Sequence, residues 1–302
     1  MTDITANSMQ AEAAAEQGAP ALKVRSYWQT VGYRLRYDYM TLFFGAVVAL
    51  IILSAIFAPL IAPMDPYETS LIKRLKPMLY QGHLLGTDEL GRDILSRMLY
   101  GGRISLAMGI LPVLAATLIG GSLGVIAGFV GGRTNMAIMR TVDVFYAFPS
   151  ILLAVAISGA LGGGIFNGMA SLTLVFIPPL CRIAETATSQ VRNLDFVEAA
   201  RATGAGTFNI IRVHVLGNVL GPILIYASSM VSVSILLASG LSFLGLGVTP
   251  PEPDWGLMLN TLRGAIYINP MVCALPGFAI LITSICFNLV SDGLRSAMDV
   301  RM

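Results

Sequence analysis

The sequence predicts an all-α integral membrane protein with six transmembrane helices, and three observations support this fold class. Of its 302 residues, 55% are hydrophobic and only 12% are charged. Its mean hydropathy is +0.75. A soluble domain carries about 25% charged residues, so this chain lacks the polar surface that a water-soluble protein needs. Its uncharged runs are long enough to cross a bilayer as helices.

Uncharged runs locate the predicted spans. Residues 39–64 would form a helix of roughly 39 Å, which exceeds the hydrocarbon core of about 30 Å. The run 144–181 is too long for a single crossing, and Gly159 with the triplet Gly162–Gly164 is expected to break it into two spans. The spans are therefore predicted at 39–64, at 104–132, as a pair within 144–181, near 219–240 and at 264–291.

The basic residues predict the orientation of these spans. With the N-terminus in the cytoplasm, twelve of the 19 Lys and Arg residues fall in cytoplasmic segments and seven in outer ones. An N-in/C-in topology follows. Its predicted parts are a cytoplasmic tail with an interfacial helix (1–38), the first span (39–64), a periplasmic loop (65–103), a core of five spans (104–292) and a cytoplasmic C-terminus (293–302).

Composition and motifs exclude several kinds of site. A net charge of +2, scattered along the chain, offers no basic surface for nucleic acid. No lysine stands in a G-x-x-x-x-G-K phosphate-binding motif, so any ATP must be bound by another polypeptide. Cys181, Cys273 and Cys286 lack C-x-x-C spacing and are interpreted as small buried apolar residues. His83 and His214 are far apart in the chain, so we expect no metal and no cofactor in this chain.

Two further functional classes compete with a transport subunit. An ion-coupled secondary carrier usually keeps ionisable residues inside its spans, whereas the predicted spans carry none away from their ends. A membrane enzyme would need a Ser/His/Asp set, paired carboxylates or a metal cluster, and the sequence contains no such pattern. The pattern favours a subunit that supplies a path across the membrane.

The most informative segment is the inner loop NLDFVEAARATGAGTFNIIRVHVLGN, residues 193–218. Asp195 and Glu198 have the spacing of a capping box, which predicts the start of a first helix. Gly204 can take the left-handed conformation that ends this helix. Thr207 is expected to cap a second helix, which would turn three apolar side chains inward: Ile210, Ile211 and Val213.

The first of these helices has a face of small residues, formed by Ala199, Ala200 and Ala202. An ordinary cytoplasmic loop that folds into two helices would also explain the spacing. The small face counts against that alternative, because it permits close approach by the backbone of another protein.

The outer loop contains a second informative segment, HLLGTDELGRDILSRMLYGGRISL, residues 83–106. We expect a short amphipathic helix here, and a solvated loop helix without a special role is the alternative. The expected features are a cap at Thr87 or Asp88, ion pairs Asp88–Arg92 and Asp93–Arg97, an apolar side of Leu90, Ile94 and Met98, and a break at Gly101-Gly102.

Three further interpretations concern single side chains. Arg140 and Asp143 are three residues apart and are expected to form a local ion pair, with a gating or subunit contact as the alternative. Trp255 is expected to anchor at the outer membrane interface, with a position facing the substrate as the alternative. The prolines Pro178 and Pro179 in the fourth span are read as ordinary membrane-helix prolines, with a hinge as the alternative.

The inner loop resembles the EAA loop of binding-protein-dependent ABC importer permeases. The match is carried by Glu198-Ala199-Ala200, Gly204 and the stretch 214–218, where Gly217 stands in place of the usual proline. In that family the loop is a coupling helix that docks into a groove of the ATPase subunit. The resemblance assigns ATPase coupling to Asp195, Glu198, Ala199, Ala200, Gly204, Leu216 and Gly217.

The outer loop is similar to the second permease subunit of dipeptide and oligopeptide importers, through the run G-T-D-x-x-G-R-D-x-x-S-R. The residues that carry it are Gly86, Thr87, Asp88, Gly91, Arg92, Asp93, Ser96 and Arg97. The stretches 139–154, 241–256 and 287–299 are similar to the same peptide/nickel branch. The similarity therefore extends from about Trp28 to Asp299.

This resemblance implies a type I ABC importer permease fold in the cell inner (cytoplasmic) membrane, with ATP hydrolysed by other subunits. The implied partners are a second homologous permease subunit, two ABC ATPase subunits, an extracytoplasmic solute-binding protein and the lipid bilayer. Di- or oligopeptides are the expected cargo. Nickel, glutathione and other small solutes remain alternatives, and no substrate-binding residue is assigned.

Overall fold

The computed structural model describes residues 27–298, and helices account for most of that range. They are α1 (Tyr27–Tyr37), α2 (Tyr39–Ile56), α3 (Ala58–Ile61), α4 (Ile94–Val130), α5 (Gly132–Tyr146), α6 (Ser150–Leu161), α7 (Ile165–Val191), α8 (Asp195–Ala202), α9 (Thr207–Ile210), α10 (Leu216–Phe243), α11 (Trp255–Leu262) and α12 (Pro270–Met298). Single 3-10 turns lie at Leu71–Lys73 and Arg263–Ala265, and a π-helical turn, Ile211–Val215, joins α9 to α10. Residues 1–26 of the predicted cytoplasmic tail lie outside the described residues.

Five stretches of the described chain are long and apolar enough to cross a membrane: α2, α4, α7, the continuous run α9–α10, and α12. The bent pair α5–α6 makes a sixth crossing when it is counted as one span. The predicted all-α membrane fold is confirmed. We call the end of the bundle that carries α8 and α9 the inner end, and the end that carries residues 65–93 the outer end.

The second span differs from its prediction, because α4 begins at Ile94 and runs through Gly101 and Gly102 without interruption. The predicted glycine break is therefore wrong. A β-carbon at Gly101 would lie 3.4 Å from the backbone of Asp254, and one at Gly102 would lie 3.1 Å from the indole of Trp255. These glycines allow α11 to pack closely on α4.

The break predicted within 144–181 is confirmed at the Gly162–Gly164 triplet, whereas Gly159 lies inside α6. Helix α6 ends before Gly162, and α7 begins after Gly164; both glycines adopt positive φ, 86° and 141°. A second bend was not predicted: α5 and α6 meet at 88°. Pro149 explains it, because proline lacks an N–H donor and disfavours a helical conformation at Phe148, the residue before it.

Helices α4 and α7 pack backbone to backbone. Gly120, Gly124 and Gly128 line the α4 side of this contact at four-residue spacing. A β-carbon at Gly120 or Gly128 would lie 2.6 Å from a carbonyl oxygen of α7. The facing oxygens of the three glycines belong to Ile177, Cys181 and Glu185, respectively. Small residues at four-residue spacing allow two helices to pack closely in a membrane. This contact was not predicted from the sequence.

Apolar clusters pack the helices of the bundle together, and two of these clusters lie at its ends. The largest lies between α4, α7 and α10. A second joins α8, α9 and the π turn to the inner ends of α4 and α7. A third packs α11 and α12 against the start of α4 at the outer end. The three cysteines are buried and free, as predicted.

Candidate functional site

Helices α8 and α9 meet at a tight corner, as the sequence predicts. Gly204 adopts a left-handed φ of +80°. Its N–H donates to the carbonyl of Arg201 at 3.0 Å, and the N–H of Ala205 donates to the carbonyl of Ala200 at 3.2 Å. These bonds satisfy the last carbonyls of α8, which would otherwise lack partners.

The predicted side-chain caps of α8 and α9 are wrong. Asp195 is the first residue of α8, and the extended N-cap position belongs to Leu194. Gly206 likewise precedes Thr207 at the start of α9, and neither helix has a side-chain cap hydrogen bond. A cap residue must have extended backbone angles, and each predicted cap lies one position too far along the chain. Asp195 and Glu198 still favour α8, because acidic side chains in a first turn complement the helix dipole.

The underside of the corner is fixed to the bundle. Val197, Ile210 and Val215 are buried against the inner ends of α4 and α7. The Arg201 guanidinium lies 5.2 Å from the ring centroid of Phe129 on α4. A cation–π contact of this kind contributes about 0.5–1 kcal/mol at an exposed site. The corner is therefore packed against the inner ends of α4 and α7.

The set of inward-facing residues is only partly as predicted. Ile210 is buried and Ile211 is half-buried, but Val213 is 59% exposed. The π turn Ile211–Val215 explains the difference, because it places more residues in one turn than an α-helix does. Val215 therefore takes the inward position that was assigned to Val213.

The other side of the corner is open, and we call it the coupling surface: Glu198, Ala199, Ala202 and Phe208, all exposed. Phe208 is 76% exposed. The remaining predicted coupling residues are Asp195 and Gly204, which are exposed beside this surface, Ala200 and Leu216, which are half-buried, and Gly217, which is exposed in the first turn of α10. A β-carbon at Gly217 would meet nothing within 4 Å, so glycine is not sterically required there.

The first part of the outer motif forms a loop, and the helix predicted from Thr87 or Asp88 begins only at Ile94, so Ile94 and Met98 are helical but Leu90 is not. Gly86 and Gly91 have φ of +83° and +76°. A β-carbon at Gly86 would lie 2.5 Å from the carbonyl oxygen of Lys76, and one at Gly91 would overlap the carbonyl of Ser70. Both glycines of the motif are therefore required by the backbone.

The charged residues of this motif are buried. Arg92 donates from Nε to Asp88 at 2.6 Å, which confirms the predicted pair. Arg97 also contacts Asp88, at 3.4 Å, so the predicted Asp93–Arg97 pair is wrong. Asp93 instead lies 3.0 Å from Nδ1 of His83. Asp93 does not reach Arg97, because its carboxylate contacts Ser96 in the first turn of α4 and His83. Burial of all five side chains also rules out the solvated loop helix.

Asp93 is the N-cap of α4. Its carboxylate accepts hydrogen bonds from the N–H and the hydroxyl of Ser96, both at 2.8 Å. The Ser96 hydroxyl accepts in turn from the N–H of Met64 at 3.2 Å. Thr87, the other predicted cap, accepts instead from the N–H of Lys76 at 2.8 Å. Leu90 is exposed rather than part of an apolar side. The motif holds the outer loop rigidly to the bundle.

Trp255 is only 4% exposed, so its prediction as an interface anchor is wrong. Its indole N–H donates to the carbonyl of Met98 at 3.0 Å. The preceding residue, Asp254, was not singled out in the sequence analysis. It is buried and accepts hydrogen bonds from the Ser105 hydroxyl at 2.6 Å and from the N–H of Leu257 at 3.0 Å. Burial raises the pKa of Asp254, although these hydrogen bonds oppose the shift.

Asp143 forms an ion pair with Arg182 of α7, so the predicted local pair with Arg140 is wrong. The paired side chains are 44% and 47% exposed, and the Arg182 guanidinium lies 5.0 Å from the ring centroid of Tyr146. The contact between α5 and α7 supplies a partner from another helix, which a rule based on spacing in one helix does not consider.

Comparison with known proteins places this architecture in a family. Residues 120–302 match the family described as "Binding-protein-dependent transport system inner membrane component". Residues 26–77 match "N-terminal TM domain of oligopeptide transport permease C".

Two curated relatives match most of the chain. The di/tripeptide transport system permease protein DppC of Pseudomonas aeruginosa is 43% identical over 258 residues, 84% of this chain and 85% of that protein. The glutathione transport system permease protein GsiD of Pectobacterium atrosepticum is 39% identical over 279 residues, 92% of this chain and 93% of that protein.

A solved structure of the MetNI methionine ABC transporter, in an inward-facing conformation, has the same fold. Its TM-score is 0.56 at 19% sequence identity, and the match covers 68% of this chain and 97% of the MetNI chain. Together with the six apolar crossings, these matches identify a multi-pass inner-membrane protein. The chain belongs to the family of inner-membrane components of binding-protein-dependent transport systems, in its oligopeptide permease C branch.

Proposed function

We propose that this chain is a permease subunit of an ATP-driven importer and carries di- or oligopeptides across the cytoplasmic membrane. The relatives named for di/tripeptides and for glutathione, which is itself a tripeptide, support a peptide cargo. Glutathione or another small solute such as nickel is the alternative cargo of the same machine.

The observation that carries the proposal is the corner between α8 and α9. Its coupling surface is exposed and combines two small side chains, Ala199 and Ala202, with Glu198 and Phe208, while its underside is packed against α4 and α7. A protein that docks on this surface can therefore shift two long membrane helices at once. Coupling of this kind requires two membrane conformations that the docked protein stabilises to different extents.

The proposed partners are a second homologous permease, two ATPase subunits that dock on the coupling surface, and an external solute-binding protein. The ATPase subunits bind the ATP in this proposal, because no lysine of this chain stands in a phosphate-binding motif. A tag on the C-terminus and purification from native membranes in mild detergent tests the assembly. We expect a second permease and one or two ATPases to co-purify; recovery of this chain alone at stable yield would contradict the proposal.

The proposed orientation is N-in/C-in, which puts the coupling surface in the cytoplasm. Cysteines introduced at two exposed positions test it: Phe208 at the inner end and Leu71 in the outer loop. In intact cells, a membrane-impermeant thiol reagent should label Leu71→Cys and leave Phe208→Cys unlabelled. The reverse pattern would overturn the orientation.

Charge reversal on the coupling surface tests the site itself. Glu198→Lys should abolish dipeptide uptake while the protein remains in the membrane, because it replaces a negative charge on the docking surface with a positive one. Asp292→Lys is the matched control, since Asp292 is an exposed acidic residue on α12, away from the corner. Normal uptake by Glu198→Lys at normal abundance would refute the assignment.

A further inference from the structure

A cleft of about 370 Å³ opens beside the bend between α5 and α6. Three elements of the bundle form it: the bend itself, the middle of α7, and α10. The lining residues used below are Tyr146, Phe148, Ser150, Pro178, Tyr226 and Met230. This cleft has no place in the coupling mechanism described above.

Helix geometry gives the depth of the cleft. At 1.5 Å per residue, Ser150 lies about 17 Å from the outer end of α6, and Pro178 lies about 20 Å from the outer end of α7. Met230 lies about 20 Å from the outer end of α10 by the same measure. The three distances from the outer ends of the helices are similar, so the cleft lies well inside a hydrocarbon core of about 30 Å.

The backbone at this depth is incompatible with contact to lipid, because it leaves the helical conformation between Tyr146 and Ser150. Non-helical backbone inside a membrane is tolerated only where it is buried in protein or lines a water-filled cavity. The ion pair Asp143–Arg182 lies beside Tyr146, just outside the predicted run 144–181, and is nearly half exposed. The bend and the cleft beside it therefore face protein or water rather than lipid.

We propose that this cleft contacts the transported peptide and accepts one of its apolar or aromatic side chains. The inference rests on the proposed peptide cargo. Aromatic rings at Tyr146, Phe148 and Tyr226 offer faces and edges for such a side chain. The hydroxyls of the two tyrosines and of Ser150 can hydrogen-bond to a peptide backbone.

Charge and size agree with this ligand class. None of the residues that line the cleft carries a formal charge. The described residues 27–298 also contain no group of three His, Cys, Asp or Glu side chains that could hold a metal ion. Binding sites for small molecules span about 300–1,000 Å³, so a cleft of this volume suits one residue of a peptide whose charged termini lie outside it.

The test uses the intact complex, purified through this chain and reconstituted in proteoliposomes, with two radiolabelled probes, diphenylalanine and diglycine. Met230→Trp fills the cleft and should reduce uptake of diphenylalanine about tenfold more than uptake of diglycine, a discrimination typical of a size-restricted apolar pocket. Leu224→Trp is the matched control on α10, because Leu224 is exposed outside the cleft. It should affect both probes equally.

A photo-crosslinking phenylalanine analogue at Phe148 gives a second readout that does not depend on filling the cleft. During turnover it should label radioactive diphenylalanine, whereas the same analogue at Leu118, exposed on α4, should not. Equal loss of both probes in Met230→Trp, or no labelling at Phe148 while wild-type complex imports diphenylalanine, would overturn this inference alone. Failure of wild-type complex to import either dipeptide, or a radiolabelled tripeptide and pentapeptide tested beside them, would overturn the proposed peptide function as well.

Discussion

Gly120 on α4 faces the carbonyl oxygen of Ile177 on α7 so closely that a β-carbon at this glycine would lie 2.6 Å from that oxygen. The next residue, Gly121, also lies in α4, but the nearest atom to its β-carbon would be Cγ2 of Ile223 at 3.9 Å. Two adjacent glycines therefore differ sharply in the space available to them.

This pair predicts opposite effects of one added methyl group. Gly120→Ala should lower the free energy of unfolding by about 1–3 kcal/mol, because α4 and α7 must move apart. Gly121→Ala should be neutral or stabilising by up to about 1 kcal/mol, because alanine favours a helix over glycine. Thermal unfolding of both variants in detergent measures the difference, and equal midpoints would contradict the packing.

The corner between α8 and α9 depends on the conformation of Gly204. Gly204→Ala should destabilise this corner by about 1–2 kcal/mol, because φ of +80° is strained for a residue with a β-carbon. Gly204→Asn should cost less, because asparagine visits this region more readily. Hydrogen exchange of the α8 amides measures the effect. Gly217→Ala is a control. It should leave hydrogen exchange of the neighbouring amides unchanged or slow it, because an added β-carbon there meets no atom within 4 Å.

Asp88 is the centre of the buried outer cluster, since Arg92 and Arg97 both contact its carboxylate. Asp88→Asn should lower the free energy of unfolding by about 3–5 kcal/mol, because it leaves two buried guanidinium groups without a full counter-charge. Limited proteolysis of residues 65–93 should become faster in this variant.

Glu89→Gln is the matched control for that cluster. Glu89 contacts Arg92 at 3.2 Å, but its side chain is more exposed than that of Asp88. This change should cost no more than about 1 kcal/mol. Similar proteolysis of the two variants would show that Asp88 is not the centre of the network.

Asp254 predicts a pH dependence of stability. Burial raises its pKa above the ordinary 3.8, so the folded protein favours the protonated carboxyl. Its contribution to the free energy of unfolding is therefore greatest below pH 3.8 and is lost as the pH rises through the raised pKa.

Comparison with Asp254→Asn isolates this effect, because all other titrating groups are shared. As the pH rises from below 3.8 to neutrality, the unfolding midpoint of wild type should fall relative to that of the variant. Thermal unfolding in detergent across this range is the measurement. A difference between the two proteins that does not change with pH would contradict a raised pKa.

Local features of the sequence were sufficient to predict much of the fold. Apolar runs located the membrane crossings, because the bilayer requires long apolar helices. Gly204 and the Gly162–Gly164 triplet located two chain breaks, because left-handed backbone favours glycine wherever it occurs. The coupling corner follows from short-range spacing of the same kind, whereas the predicted Asp88–Arg92 pair forms within a loop rather than in the expected helix.

The caps and the inward face of the coupling loop could be predicted only approximately. Leu194 and Gly206 occupy the cap positions, and the identity of their side chains does not predict the extended backbone angles that they adopt. The π turn before α10 places Val215 inward in place of Val213, and no sequence motif predicts this turn.

By itself, the sequence determined the membrane class, the helical architecture and the position of the coupling loop, because these depend on hydropathy and on the conformations that neighbouring residues allow. Only the tertiary structure decided that Asp143 pairs with Arg182, that Arg97 joins Asp88, that Trp255 is buried and that a cleft opens at the α5–α6 bend. Each of these depends on which helix faces pack together, since the contacts join side chains that are distant in the chain or no longer share one helix.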